Sequence, residues 1–154
     1  MAESFVIKGG EQKQAKRHSA WLAFSLLAIA AFHLVFFFTD WYAAVSSLDK
    51  LMHFSGGAWL VAFGAYFLFG RGSVRATGFF YEALVLVAFA TLVGVVWEFH
   101  EFLADSLMTD PTRVMQTGIL DTMGDLFFDM LGATMTVIAR YARFPWQNQQ
   151  NHSL

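Results

Sequence analysis

Three aspartates, Asp121, Asp125 and Asp129, recur at intervals of four residues. On a helix that spacing makes a single stripe covering about 80° of the circumference. Glu98 and Glu101, three apart, share one helical face, and Asp49 stands one turn before His53. Oxygen donors combined with one or two imidazoles suit hard or borderline divalent ions such as Mg, Mn, Fe(II) or Zn. The candidate metal ligands are therefore His53, Glu98, Asp121, Asp125 and Asp49, and an acid left outside the ligand set, Glu101 or Asp129, is the candidate base. The competing chemistry is a partly protonated carboxylate cluster that holds water and relays protons.

The pattern is no standard metal motif. It contains neither the Glu-x-x-His of di-iron bundles nor a His-Glu-x-x-His. The chain has no cysteine, which excludes disulfides, thiolate zinc sites, cysteine-ligated iron–sulfur clusters, c-type haem and a cysteine nucleophile. No serine stands in a nucleophile motif. Asp49 is placed to orient the ring of His53. His33 alone reads as a packed histidine bonded to a backbone carbonyl, and His100 falls on a different face from Glu98 and Glu101. A b-type haem between His33 and His53 is disfavoured by the carboxylates around them.

The elements that position these residues are membrane spans. Of the 154 residues 56% are hydrophobic and 14% charged, against roughly 25% charged in a soluble domain. The apolar residues gather in four runs near the length of about 20 residues that a bilayer requires: 19–38, 51–69, 79–103 and 119–140. The joints carry breakers: Thr39-Asp40, Gly70-Arg71-Gly72-Ser73 and Thr109-Asp110-Pro111-Thr112. The expected fold is all-α, a four-helix up-and-down membrane bundle forming one domain over 19–143. Residues 1–18 and 144–154 read as solvated cytoplasmic tails. The first run continues past any signal-peptidase site near Ala28-Ile29-Ala30 without a break, so it is an anchor that stays.

Orientation follows from the basic residues. Lys8, Lys13, Lys16, Arg17, Arg71, Arg75, Arg140 and Arg143 fall on one side, and only Lys50 and Arg113 on the other. The positive-inside rule makes the first side cytoplasmic, with both termini there, in a bacterial inner membrane. The net charge of -2 argues against a nucleic-acid partner. Phe36-Phe37-Phe38 and Trp41-Tyr42 read as an interfacial aromatic belt. Glu82 reads as interfacial, paired with or snorkelling toward Arg71 or Arg75.

Depth is what makes the acids informative. From Asp129 to Arg140 there are eleven helical steps, roughly 16 Å of a hydrocarbon core about 30 Å thick. The span cannot be completed without drawing Asp129, and with it Asp125 and Asp121, into the membrane, where an acid at the centre of a lone helix costs about 3 kcal/mol. Capping and headgroup contacts explain Asp49, Asp121, Glu98 and Glu101 one by one. They do not explain Asp125 and Asp129, for which no nearby cation is evident. Alternating helices bring Asp49, His53, Glu98, Glu101, Asp121 and Asp125 to one level, with Asp129 a turn deeper. Gly56, Gly57, Leu60 and Gly64 continue the face of His53 and allow a neighbour to approach closely, while Gly132 and Thr136 extend the acid stripe inward.

These positions carry a resemblance. Leu48-Asp49-Lys50-Leu51-Met52-His53-Phe54 resembles the "D-K-x-x-H-F" signature of VanZ-like and YjdF-like small bacterial membrane proteins. Trp97-Glu98-Phe99-His100-Glu101 and the stretch Asp121 to Gly132 resemble the "W-E-x-x-E" and "D-T-x-x-D-x-x-x-D-x-x-G" signatures of the YjdF-like branch. The resemblance covers residues 48–133. It implies Asp49, His53, Glu98, Glu101, Asp121, Asp125 and Asp129 as signature positions and, through VanZ-like members linked to glycopeptide resistance, a cell-envelope substrate.

Three functions fit. The first is a metal-assisted membrane enzyme acting on a lipid or lipid-linked headgroup entering from the outer leaflet. The second is a cation or proton transporter component, which at four helices needs a homo-oligomer and polar groups through the inner half. The third is an accessory subunit whose polar cluster only fixes helix packing. The eight-to-two division of Lys and Arg is directly testable. Reporter fusions at residue 75 and at the C-terminus should report cytoplasm and one at residue 112 the outside; a periplasmic signal at residue 75 would invert the topology.

Overall fold

The computed structural model describes residues 2–45, 47–69, 78–107 and 115–143, and of 2–13, 43 and 143 only the backbone. Every regular element among them is helical: α1 Ala2–Phe38, a single turn α2 Trp41–Ala44, α3 Ser47–Gly64, α4 Phe79–Leu107 and α5 Ile119–Arg143. A π-helical turn, Ala65–Phe69, prolongs α3. The four long helices alternate in direction. Residues near the start of α3 meet the end of α4 and the start of α5 through His53, Glu98 and Asp125, and at the other end Glu82 of α4 meets Tyr141 of α5.

Among the described residues three stretches are long and apolar enough to cross a membrane: Gln14–Phe38, Ser47–Phe69 and Phe79–Leu107. Helix α5 has the length but is not among them, and it sorts its acids and apolar residues by face. Asp125 and Asp129 are buried, whereas Leu120, Phe127, Met130, Met135 and Ile138 point outward. That sorting suits a helix with lipid on one side and protein on the other.

Two expectations shift here. Residues 2–18 of the expected tail 1–18 are helical and continuous with the rest of α1. Strong helix formers such as Glu11, Lys13 and Lys16 extend it, and near its N-terminal half the Tyr66 hydroxyl donates to the Ala15 carbonyl at 3.1 Å while His18 stacks on the Tyr66 ring. Span two starts at Ser47 rather than residue 51, so Asp49 and Lys50 lie inside its first turn. The joint at Thr39-Asp40 is as expected, with Asp40 in the left-handed region at φ 57°, which aspartate tolerates better than most residues. The other two joints and the tail 144–154 lie outside the described residues.

Helices α3, α4 and α5 form the core, and α1 packs along α3, where the Trp59 indole donates to the Leu22 carbonyl at 3.0 Å. The apolar core is built from Val61, Ala65, Leu86, Ala90, Ala133 and Val137, and Glu82 is buried at the end of the bundle away from the acid cluster. The α3–α5 crossing depends on two glycines. A β-carbon on Gly57 would overlap the Asp129 carbonyl, and one on Gly132 would overlap the Phe54 carbonyl. Small residues at such a crossing let backbones touch, which is how helices associate where lipid removes the hydrophobic driving force. Gly132→Ala should therefore cost about 1–3 kcal/mol through overpacking, read as a lower melting temperature in detergent. An unchanged melt would mean that α3 and α5 are farther apart than described.

Candidate functional site

The close α3–α5 crossing brings all seven expected residues to one end of the bundle. His53, Glu98, Glu101, Asp125 and Asp129 are each 6% exposed or less, and Asp49 and Asp121 form the half-buried rim. The ring of His53 is the hub. Its Nδ1 lies 3.2 Å from Asp129 Oδ2. Its Nε2 faces three carboxylates at longer range: Glu98 Oε1 at 3.8 Å, Asp125 Oδ1 at 3.8 Å and Asp49 Oδ1 at 3.9 Å. The ring is thus oriented by Asp129 rather than by Asp49, contrary to expectation. The cause is the crossing at Gly57, which lays the Asp129 backbone against α3, together with Gly94 on α4, where a β-carbon would occupy the position of the Asp129 carboxylate.

A cation near the acids is the second departure. Lys50, counted in the sequence only toward orientation, donates from Nζ to Asp121 Oδ1 at 2.6 Å and to Asp125 Oδ1 at 2.7 Å, with Asp49 Oδ2 at 3.7 Å. Its stem crosses α5 over Gly124, where a β-carbon would lie 3.3 Å from Lys50 Cε. The signal was readable, because Lys50 precedes His53 by three residues and so shares its face.

Other partners were not foreseen. Trp97 Nε1 donates to Glu101 Oε1 at 2.8 Å. Gln116, in the segment before α5, donates from Nε2 to Glu98 Oε2 at 3.1 Å. Asp105 holds that segment, its two oxygens accepting the backbone N–H groups of Met115 and Gln116 at 2.8 Å each. Asp121 accepts the Thr117 N–H at 3.1 Å, closing the start of α5 much as an acid in a helix's first turn does. The other oxygen of Glu98, Oε1, is buried and has no hydrogen-bond partner among the described residues.

Four more expectations bear on these contacts. His33 bonds the Tyr42 hydroxyl at 2.8 Å rather than a backbone carbonyl, and its ring meets Trp97 edge-on. Tyr42 thus turns inward, and Phe36 stacks on Trp41, so the aromatic segment clips the α1–α3 connection and is not simply a lipid-facing belt. Glu82 is 3% exposed and accepts a hydrogen bond from Tyr141, so it is buried against α5; its expected partners Arg71 and Arg75 lie outside the described residues. His100 is exposed against the Trp97 ring and stays outside the cluster.

A cavity of about 330 Å³ opens beside the hub, within the ~300–1,000 Å³ typical of small-molecule sites. Leu26, Ile29, Ala30 and Leu34 of α1, with Met52, Leu60 and Val93, make it mostly apolar. His33, Asp49, His53, Glu101 and Asp129 supply a polar end. Gly56 also lines it, and a β-carbon there would meet nothing within 4 Å.

Residues 12–146 match the model of a family described as "Predicted membrane protein (DUF2238)". The chain belongs to this family. A relative from Thermotoga maritima, titled "Uncharacterized protein", is 35% identical over 118 residues, a stretch covering 71% of this chain and 58% of the relative. The chain therefore spans little more than half the length of that curated relative. No solved structure matches it.

Of the six carboxylates in the cluster, Asp49, Asp121 and Asp125 lie within 4 Å of Lys50, the one Lys or Arg side chain that the described contacts bring to them. Lys50→Met should therefore strand Asp125 and destabilise the metal-free protein by about 2–3 kcal/mol. That is below the full cost of breaking a buried pair because the Lys50 side chain keeps 24% exposure. Chemical denaturation of both proteins in chelator checks this; equal stabilities would show that the ion pairs contribute nothing.

Proposed function

We propose that this chain is a bacterial cytoplasmic-membrane enzyme whose polar cluster faces the outer side and acts on a lipid or lipid-linked headgroup, assisted by a divalent cation. The observation that carries the reading is the cavity. Its apolar walls suit a hydrocarbon chain, and its polar end sets Glu101, His53 and Asp129 where a headgroup would lie. A cation held on the Nε2 side of His53 would polarise a phosphoryl or carbonyl oxygen or activate water. Asp129 accepts the Nδ1 hydrogen of His53 and fixes the ring, so it acts through the histidine. Glu101 lines the cavity and is the candidate base.

The rival readings lose on particular residues. A conduit needs an unbroken run of polar groups through the other half of the bundle. There the buried Glu82–Tyr141 pair stands apart from the cluster, with Leu86 and Ala90 between Glu82 and Glu98 on α4 and Ala133 and Val137 between Asp129 and Tyr141 on α5. The Thr136 hydroxyl is bonded to the Gly132 carbonyl of its own helix at 2.9 Å. A cluster that served packing alone would have no need of a cavity beside it. The resemblance to VanZ-like and YjdF-like proteins rests on the three motifs, and it supports a cell-envelope substrate.

Gly56→Leu tests the cavity without touching a charged group. The new side chain enters open space, so the variant should melt like the wild type while losing its occupant. Mass spectrometry of lipid retained through detergent purification should show a lipid class bound by the wild type and reduced to background in the variant. Equal retention would remove the cavity from the account.

A further inference from the structure

We infer that His53 Nε2, Glu98 Oε1 and Asp125 Oδ1 form a binding site for one divalent transition-metal ion, and that Lys50 is a resident cation competing with the ion for Asp125. This rests on the metal-assisted reading above and narrows it to one donor set.

The deciding observation is the orphaned oxygen. Glu98 is 5% exposed and its Oε1 has no donor among the described residues, although burying an unanswered carboxylate oxygen is costly. It points at an imidazole nitrogen 3.8 Å away, and Asp125 Oδ1 stands 3.8 Å from the same nitrogen. These separations are too long for hydrogen bonds. They match donors that share an ion, since two ligands each about 2.0–2.2 Å from a metal lie roughly 3–4 Å apart. All three donor atoms lie within 4.8 Å of one another. The opposite ring nitrogen is held by Asp129, the arrangement that orients metal-binding histidines.

Two neighbouring triads have comparable spacing and are already answered. In the Asp49, Asp121, Asp125 group the Lys50 ammonium takes the place of an ion, and the second oxygen of Asp121 accepts the Thr117 N–H. In the Asp49, His53, Glu101 group the Trp97 indole occupies Glu101 Oε1. Asp49 and Asp121 therefore fall outside the ligand set. One imidazole and two carboxylates suit Mn(II), Fe(II) or Zn(II) better than Mg(II). Two carboxylates also balance the ion's charge, and three protein donors leave positions free for water or a substrate oxygen.

Lys50 enters through a shared atom. Asp125 Oδ1 accepts its ammonium at 2.7 Å and is also the oxygen offered to the metal. A positive charge so near a divalent ion opposes binding, so removing it should tighten affinity by at least about tenfold.

The test is titration of Mn(II) into the full-length protein in detergent after chelator treatment, followed by electron paramagnetic resonance. The wild type should bind one ion and show a nitrogen hyperfine coupling. Glu98→Gln, which keeps size and shape, should weaken binding by about 10–100-fold. Lys50→Met should tighten it, and His100→Gln should leave it unchanged. If the wild type binds no Mn(II) or Zn(II), the metal-assisted reading itself falls. If it binds Mn(II) without nitrogen coupling, or if folded Glu98→Gln binds equally well, this donor set is wrong while a metal elsewhere survives. Weaker binding by Lys50→Met would overturn its role as competitor.

Discussion

Carboxylates inside a membrane bundle must be answered from within the bundle, because lipid offers neither water nor counterions. Here the answers come from two residues of α3 three positions apart, Lys50 and His53. Lys50 ties Asp121 and Asp125 to α3 through hydrogen bonds of 2.6 and 2.7 Å, and His53 ties Asp129 at 3.2 Å. The three acids of one α5 stripe are thus matched against one face of α3. The glycine contacts at Gly57 and Gly132 bring the helices close enough for these short side chains to meet. Polar matching and backbone approach depend on each other: a bulkier residue at either glycine would separate the pairs, and loss of the pairs would leave buried charge.

The remaining helices complete what α3 and α5 begin. Helix α4 adds Glu98 and Glu101 at the level of His53, and its Gly94 makes room for the Asp129 carboxylate. The segment before α5 contributes Gln116 to Glu98, held there by Asp105. Helix α1 contributes no acid to the cluster. It supplies an apolar wall of the cavity and His33, braced by Tyr42. The charged cluster thus lies beside a mostly apolar chamber.

Much of this was legible in the sequence. Four-residue spacing forces Asp121, Asp125 and Asp129 onto one face, and alternating helices bring that face level with His53 and Glu98, so the level at which seven residues meet needed only geometry along each helix. What escaped depends on rotation between helices. That Asp129 rather than Asp49 holds the His53 ring follows from the Gly57 contact, which no single-helix argument contains. Lys50 shares the face of His53 by spacing, but which acids it meets depends on how α5 is rotated against α3. Gln116 and the Trp97–Glu101 pair join side chains whose meeting depends on a loop path or a rotamer. Glu82 looked interfacial because it lies near a helix start, but burial there is decided by Tyr141, 59 residues away.

The arrangement at His53 is the central claim, and nitrogen NMR of the imidazole tests it most directly. With the protein labelled at its five histidines, the His53 signals are assigned by their loss in His53→Gln. Nδ1 should be protonated and hydrogen-bonded, with its signal moving in Asp129→Asn. Nε2 should respond to added Zn(II) while Nδ1 stays protonated. A protonated Nε2 indifferent to the metal, or an Nδ1 signal indifferent to Asp129→Asn, would contradict the arrangement described here.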